Sequence, residues 1–195
     1  MKKLAGILCL SALTTGAFAQ GLINYQNSGQ TLLSTQVQGQ SAQVMGNTPG
    51  QYFFGLLISP SGAAGSFNFT GLYATNTAAT TGGRLAGGNG ISVPGWGAGV
   101  TMSYEIAGWD SSLGHTFNAA WLTTHPAGFF GVSPIASGAA GGVDATGNSI
   151  PTYNLFGGAT GIPTGFTLTS SVPEPSSMAL AGLGAAALLI FRRRK

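Results

Sequence analysis

From residue 20 to residue 172 the charged side chains are Arg84, Glu105, Asp110 and Asp144. A stretch this poor in Lys, Glu and Arg has little from which to build surface helices, which combine those residues with Ala and Leu in a 3.6-residue order. No window of that order is present. Short apolar or alternating runs take its place, separated by clusters of Gly, Pro, Asn and Ser, and this is the punctuation of an all-β chain. One cation against three carboxylates also excludes the lysine and arginine stripe that a DNA or RNA binder needs, so no nucleic acid partner is expected.

The clearest strand signal runs from Val100 to Ala107, where Val100, Met102, Tyr104 and Ile106 alternate with Thr101, Ser103, Glu105 and Ala107 as in a half-buried strand. Phe117 to Thr123 follows a loop at Asp110 to Gly114, and the pair reads as an antiparallel hairpin. Tyr52 to Ser59 is continuously apolar and is placed near the centre of the core. Ser66 to Thr75 alternates around Phe67, Phe69 and Tyr73, with a bulge expected at Gly71. Weaker strands are expected at Leu22 to Gln26, Thr31 to Gln38, Ile91 to Val93, Phe129 to Ser133 and Thr164 to Ser170. Gly82 to Arg84, Gly87 to Gly90 and Ala136 to Gly147 read as loops. The spacing points to a single antiparallel β-sandwich or jelly-roll-like domain over residues 20–171, with a barrel as the alternative.

Both ends differ from this middle. Met1-Lys2-Lys3, an apolar run from Leu4 to Leu13 and a small-residue exit at Ala17-Phe18-Ala19 form a secretory signal peptide over residues 1–19, read by the Sec translocon and cut by signal peptidase between Ala19 and Gln20. Leu8 before Cys9 is too large for a lipoprotein site. Cys9 is the one cysteine in the sequence, so residues after the cut have no disulfide and no thiol nucleophile. At the other end Val172-Pro173-Glu174-Pro175 precedes an apolar run from Met178 to Phe191 and a terminal Arg192-Arg193-Arg194-Lys195 cluster. Positive charge after an apolar helix stays on the cytoplasmic side. The expectation is an exported body held in the inner membrane by a C-terminal transmembrane helix. That run is about 14 residues, against about 20 for a comfortable crossing, so the anchor is marginal.

The order of Pro173-Glu174-Pro175, a short apolar helix and a terminal basic cluster resembles the PEP-CTERM sorting signal of exported proteins from Gram-negative bacteria that make extracellular polysaccharide. The resemblance covers residues 172–195. It implies that an exosortase, a membrane transpeptidase-like enzyme, recognises Pro173-Glu174-Pro175 and cuts nearby, passing the body to the cell surface or extracellular matrix. Two prolines also hold this neck extended. The opening Gly21-Leu22-Ile23-Asn24-Tyr25, with Pro94-Gly95 and a strand ending at Trp109, is similar to a loosely defined group of such proteins, and that similarity adds no activity.

No catalytic residues, metal ligands or cofactors are expected, and the chain is read as a non-enzyme. Asp110 and His115 flank one loop near Ser111 and Ser112, but Asp, Ser and His there are what turn chemistry supplies by itself. Glu105 has no obvious carboxylate partner for glycosidase work. His115 and His125 lack the close spacing of zinc ligands. Asp144 in the Gly141 to Asn148 loop offers too little charge for calcium and reads as an Asx-capped turn. Of the three tryptophans, Trp121 is assigned to the core. Trp96 and Trp109, flanked by glycine and loop residues, are the candidate sugar-binding platform. Two functions follow: a non-catalytic surface or matrix component, and a carbohydrate-binding module for exopolysaccharide.

Overall fold

The computed structural model describes residues 20–60 and 66–170. The signal peptide (residues 1–19) and the C-terminal helix expected from the sequence lie outside the described residues. Among the described residues thirteen strands form: β1 (Gln20–Gln26), β2 (Ser34–Val37), β3 (Gln43–Val44), β4 (Tyr52–Pro60), β5 (Asn68–Asn76), β6 (Leu85–Gly97), β7 (Thr101–Asp110), β8 (Phe129–Val132), β9 (Ala136–Ala139), β10 (Gly142–Val143), β11 (Ser149–Ile150), β12 (Tyr153–Asn154) and β13 (Thr167–Ser170).

Eleven of these join one sheet in the order β12-β1-β6-β5-β4-β7-β8-β13-β2-β3, with β9 also on β7, while β10 and β11 make a separate hairpin. The all-β expectation holds, but the expected division into two sheets does not. Hydrogen bonding runs unbroken along that path, and the sheet curls into a half-barrel. It is mixed rather than antiparallel, because β1–β12 and β2–β13 pair in parallel. The curl brings β9 back towards β1, where Leu22 and Gly141 exchange both backbone hydrogen bonds at 2.9 Å.

β4 explains the curl. Its burial is nearly continuous, with Phe54, Leu56 and Ile58 turned to the inner core and Phe53 and Leu57 to a second cluster on the outer face. The inner core gathers Ile23, Tyr25, Trp96, Tyr104, Ile106 and Leu168 inside the curl. Leu57, Ala107, Trp109 and Phe130 form the outer cluster, packed beneath Leu113, Phe117 and Trp121 of the β7–β8 connection. A strand apolar on both faces cannot leave either one in water, which is why Tyr52 to Ser59 carries no alternation. The bulge expected at Gly71 is present: Gly55 pairs with Tyr73 but Leu57 with Phe69, and Gly71 has φ +82. Thr70 Oγ1 donates to the Leu56 carbonyl at 2.9 Å and accepts from the Leu72 amide, satisfying groups that the bulge takes out of the ladder.

Three local expectations are corrected. Phe117 to Thr123 is no strand: Asn118 Oδ1 takes the Ala120 amide at 3.0 Å and caps a 3-10 turn at Ala119–Leu122. The capping amide competes with any ladder, and Phe117 and Trp121 thereby both meet Trp109. Gly87 to Gly90 lies within β6 instead of a loop. A methyl at Gly87 would press on the Tyr25 ring at 2.8 Å, and Asn24 Oδ1 holds the Gly90 amide at 3.0 Å. Ala136 to Gly147 likewise contains β9 and β10, because small residues let Gly138 lie under the Tyr153 ring.

Candidate functional site

The last described strand, β13, lies in the interior of the sheet. Along one edge Thr167, Leu168, Thr169 and Ser170 pair in parallel with Ser34, Thr35, Gln36 and Val37. Along the other, Thr169 and Ser170 pair with Phe130 and Phe129. The Ser34 amide donates to the Phe166 carbonyl at 3.0 Å, and the Gln38 amide to the Ser170 carbonyl at 3.2 Å. Leu168 is fully buried in the inner core.

Side chains reinforce this ladder on its exposed face. His125 Nδ1 faces the Pro126 carbonyl at 3.0 Å, and a carbonyl can only accept, so Nδ1 carries the proton. In the neutral ring Nε2 then accepts from Thr169 Oγ1 at 3.1 Å. The imidazole meets Phe130 edge-on at 5.7 Å. Beside it Gln36, Gln38, Gly39, His125, Thr169 and Ser170 line an open cleft of about 350 Å³. Apart from His125 and Gly39 the lining side chains are amides and hydroxyls. The cleft lies beside Ser170, the final residue of β13.

The residues that follow decide its meaning. Residues 171–195 match the PEP-CTERM protein-sorting motif. The PEP-CTERM match thus begins at the residue after β13 ends, and it takes in Val172, Pro173, Glu174, Pro175 and the Arg192 to Lys195 cluster. All of these lie outside the described residues, as do Ala17 and Ala19 of the expected signal peptidase site. Gln20, on the far side of that cut, opens β1. The PEP-CTERM motif implies export, membrane-associated sorting and an exosortase as processing partner. Among the described residues no helix is long and apolar enough to cross a membrane. No curated protein and no solved structure matches the chain.

The other candidates fall into place around the core. Trp96 is 1% exposed and Trp109 0%, so neither can offer a face to a sugar ring. The flanking glycines that suggested loops lie within β6 and β7. The Pro94-Gly95 irregularity in β6 turns Trp96 inward, where Nε1 donates to the Val100 carbonyl at 2.7 Å. Trp109 stacks on Phe53 at 6.2 Å and donates to the Gly114 carbonyl at 2.9 Å. Trp121, assigned to the core, packs on Trp109 as a partly buried member of the outer cluster.

Asp110 and His115 are not brought together. Asp110 Oδ1 accepts from the amide and hydroxyl of Ser112, capping the turn at Ser111–Leu113, and Oδ2 accepts from the Phe129 amide at 2.9 Å. His115 lies against Phe53 at 4.6 Å. Asp144 Oδ1 accepts from the Thr146 amide at 2.8 Å, the Thr146 hydroxyl at 2.7 Å and the Asn148 amide at 2.8 Å. Those bonds, led by the Thr146 hydroxyl, hold its carboxyl below the usual carboxylate range. They are the bonds of an Asx-capped turn. Burial alone pushes the Glu105 carboxyl up, and among the described residues no three His, Cys, Asp or Glu side chains cluster as metal ligands.

Sequence reading missed the two buried asparagines that organise the sheet. Asn27 Nδ2 donates to the Thr31 and Gly83 carbonyls at 2.6 and 2.8 Å while Oδ1 accepts from the Leu85 amide at 2.9 Å. Asn76 Oδ1 accepts from the Tyr52 amide at 3.0 Å, and Nδ2 donates to the Gly46 and Thr48 carbonyls. Their position just beyond or at the end of a strand is the signal, since Asn there can replace the backbone partners a strand end loses.

Proposed function

We propose that the chain is a non-catalytic component of the cell surface or extracellular matrix. The body over residues 20–171 is exported by the Sec translocon, held briefly at the inner membrane by the segment 172–195, and released or transferred after an exosortase acts near Pro173-Glu174-Pro175. The observation that carries this reading is the match of residues 171–195 to the PEP-CTERM protein-sorting motif directly after β13. The signal-peptide pattern of residues 1–19 supports it from the other end. A body whose polarity comes from amides and hydroxyls suits a role as a neutral, rigid element of a polymer layer.

A carbohydrate-binding role through Trp96 and Trp109 loses its basis, because both rings are inside the fold. The test is replacement of Pro173, Glu174 and Pro175 together by alanine in the native host, followed by separation of membrane, surface and medium fractions. Accumulation of the full-length variant in the membrane fraction is expected. Unchanged arrival at the surface would overturn the sorting role.

A further inference from the structure

Gly87-Gly88-Asn89-Gly90, read from the sequence as a loop, is an irregular stretch of β6. Ile23 pairs with Ile91 and Tyr25 with Gly88, so Asn24 alone stands opposite both Asn89 and Gly90. This is a bulge, and its flanking Gly88 and Gly90 have φ +119 and +61, a course that glycine takes without strain. Asn89 and Gly90 are both exposed. The Asn89 side chain has no hydrogen-bond partner among the described residues. The Gly90 amide, in contrast, donates to Asn24 Oδ1 at 3.0 Å. Asn24 is held in its turn, because Nδ2 donates to Asn154 Oδ1 at 2.7 Å across the parallel pairing of β1 with β12.

An asparagine followed by glycine is able to react with its own backbone, since no side chain on the next residue hinders the approach. The Gly90 nitrogen gives up its proton and attacks Asn89 Cγ. A new N–C bond closes a five-membered succinimide, the Cγ–Nδ2 bond breaks, and Nδ2 leaves as ammonia with that proton. Water then opens the ring at either carbonyl, leaving aspartate or isoaspartate at position 89. Water is consumed, ammonia is released and nothing is oxidised. Before any of this the Gly90 amide must leave Asn24 Oδ1, because the hydrogen bond holds its proton in place. The other asparagines are worse placed. Asn89-Gly90 is the one Asn-Gly pair in the sequence. Asn27 and Asn76 each commit Nδ2 to two backbone carbonyls, and Asn148 commits its own to Thr146 Oγ1.

We propose that Asn89 is a site of spontaneous deamidation and that the Asn24–Asn154 pair is a latch that sets its rate. The reactive fraction is the fraction of molecules in which Gly90 has left Asn24, and the rate is scaled down by that fraction. Either product alters the sheet. Aspartate adds a carboxylate to a body that otherwise carries Glu105, Asp110 and Asp144. Isoaspartate lengthens the β6 backbone by a methylene opposite Asn24 and disturbs its pairing with β1.

The experiment follows the folded protein, purified from the native host, in mildly alkaline buffer by peptide mass mapping over time. Deamidation reads as a gain of about one mass unit. The gain is expected first in the peptide that holds Asn89. Asn24→Ala is expected to speed it about fivefold, the factor that one lost hydrogen bond sets. Asn154→Ala, an exposed change that leaves β6 and β1 untouched, is expected to speed it as well. The unmodified chain unfolded in urea should also gain mass at Asn89 faster than the folded chain. Asn89→Gln should remove the gain from that peptide. A gain that appears first at another asparagine, or no gain at Asn89 in the folded protein, overturns the site. A rate in either latch variant equal to that of the unmodified folded protein overturns the latch.

Discussion

Asn27→Ala is the sharpest probe of how the curl is held. The Asn27 side chain is 3% exposed and joins three elements: the Thr31 turn that follows β1, Gly83 ahead of β6, and Leu85 within β6. Around it the Leu33 amide donates to the Gly83 carbonyl at 2.9 Å and the Gly83 amide to the Met45 carbonyl at 2.8 Å. These contacts tie the β2–β3 end of the path back onto β6, so the asparagine fastens distant parts of the sheet. Alanine leaves the Thr31 carbonyl and the Leu85 amide without their partner, while the Gly83 carbonyl keeps the Leu33 amide. Each buried group left unsatisfied costs about 1–3 kcal/mol, so a loss of about 4 kcal/mol is expected. A small domain has about 5–15 kcal/mol in all. With a urea slope of about 2 kcal/mol per molar, the midpoint should fall by about 2 M. Tryptophan fluorescence of the secreted protein in urea reads this directly, with exposed Asn68→Ala as the control, expected to stay within about 0.5 kcal/mol. A loss below about 1 kcal/mol for Asn27→Ala would refute the assignment of these three bonds to the stability of the curl.

Further outcomes follow from the same geometry. Iodide should leave most Trp96 and Trp109 emission unquenched in the folded protein, and strong quenching of either would place its ring at the surface. Trp109→Ala removes the ring around which Phe53, Tyr73, Phe117 and Trp121 pack, and should cost about 3–5 kcal/mol in the same urea titration. Burial raises the Glu105 carboxyl, so its ionised form is disfavoured in the folded state. Below the unfolded-state pKa this penalty is absent, and it grows as pH rises through the window up to the folded-state value. Glu105→Gln should therefore raise Tm at neutral pH and have little effect near pH 3, and an equal shift at both would contradict the burial argument. A methyl at Gly165 would run into the Leu32 carbonyl just ahead of β13. Gly165→Ala should accordingly lower Tm by several degrees.

Much of the sheet was legible because single strands announce themselves locally. Tyr52 to Ser59 needed both faces buried, and its unbroken apolar run said so. Gly71 interrupted an alternating run and proved to be a bulge with positive φ. What the residues could not convey was partnership between segments far apart in the chain. The pairing of β1 with β6, the insertion of β13 between β8, to which it is antiparallel, and β2, to which it is parallel, and the return of Gly141 to Leu22 are set by tertiary packing. The same limit misplaced Trp96 and Trp109. Glycine beside an aromatic residue reads as a loop, yet here Gly95, Gly97 and Gly108 lie within strands whose tryptophans are buried. Phe117 to Thr123 was misread because Asn118, an amide that caps a turn, sat in an otherwise strand-like pattern. The sorting motif was legible since its elements are contiguous and need no fold to be recognised.

The central claim is that the chain is addressed at both ends and that its curled body is what reaches the surface. Intact mass spectrometry of the protein recovered from the cell surface and the medium measures both cuts at once. The account predicts a species that begins at Gln20 and ends close to Pro175, lacking the apolar run and the Arg192 to Lys195 cluster. An unprocessed Met1 to Lys195 chain as the surface species, or as a soluble cytosolic protein, would contradict it.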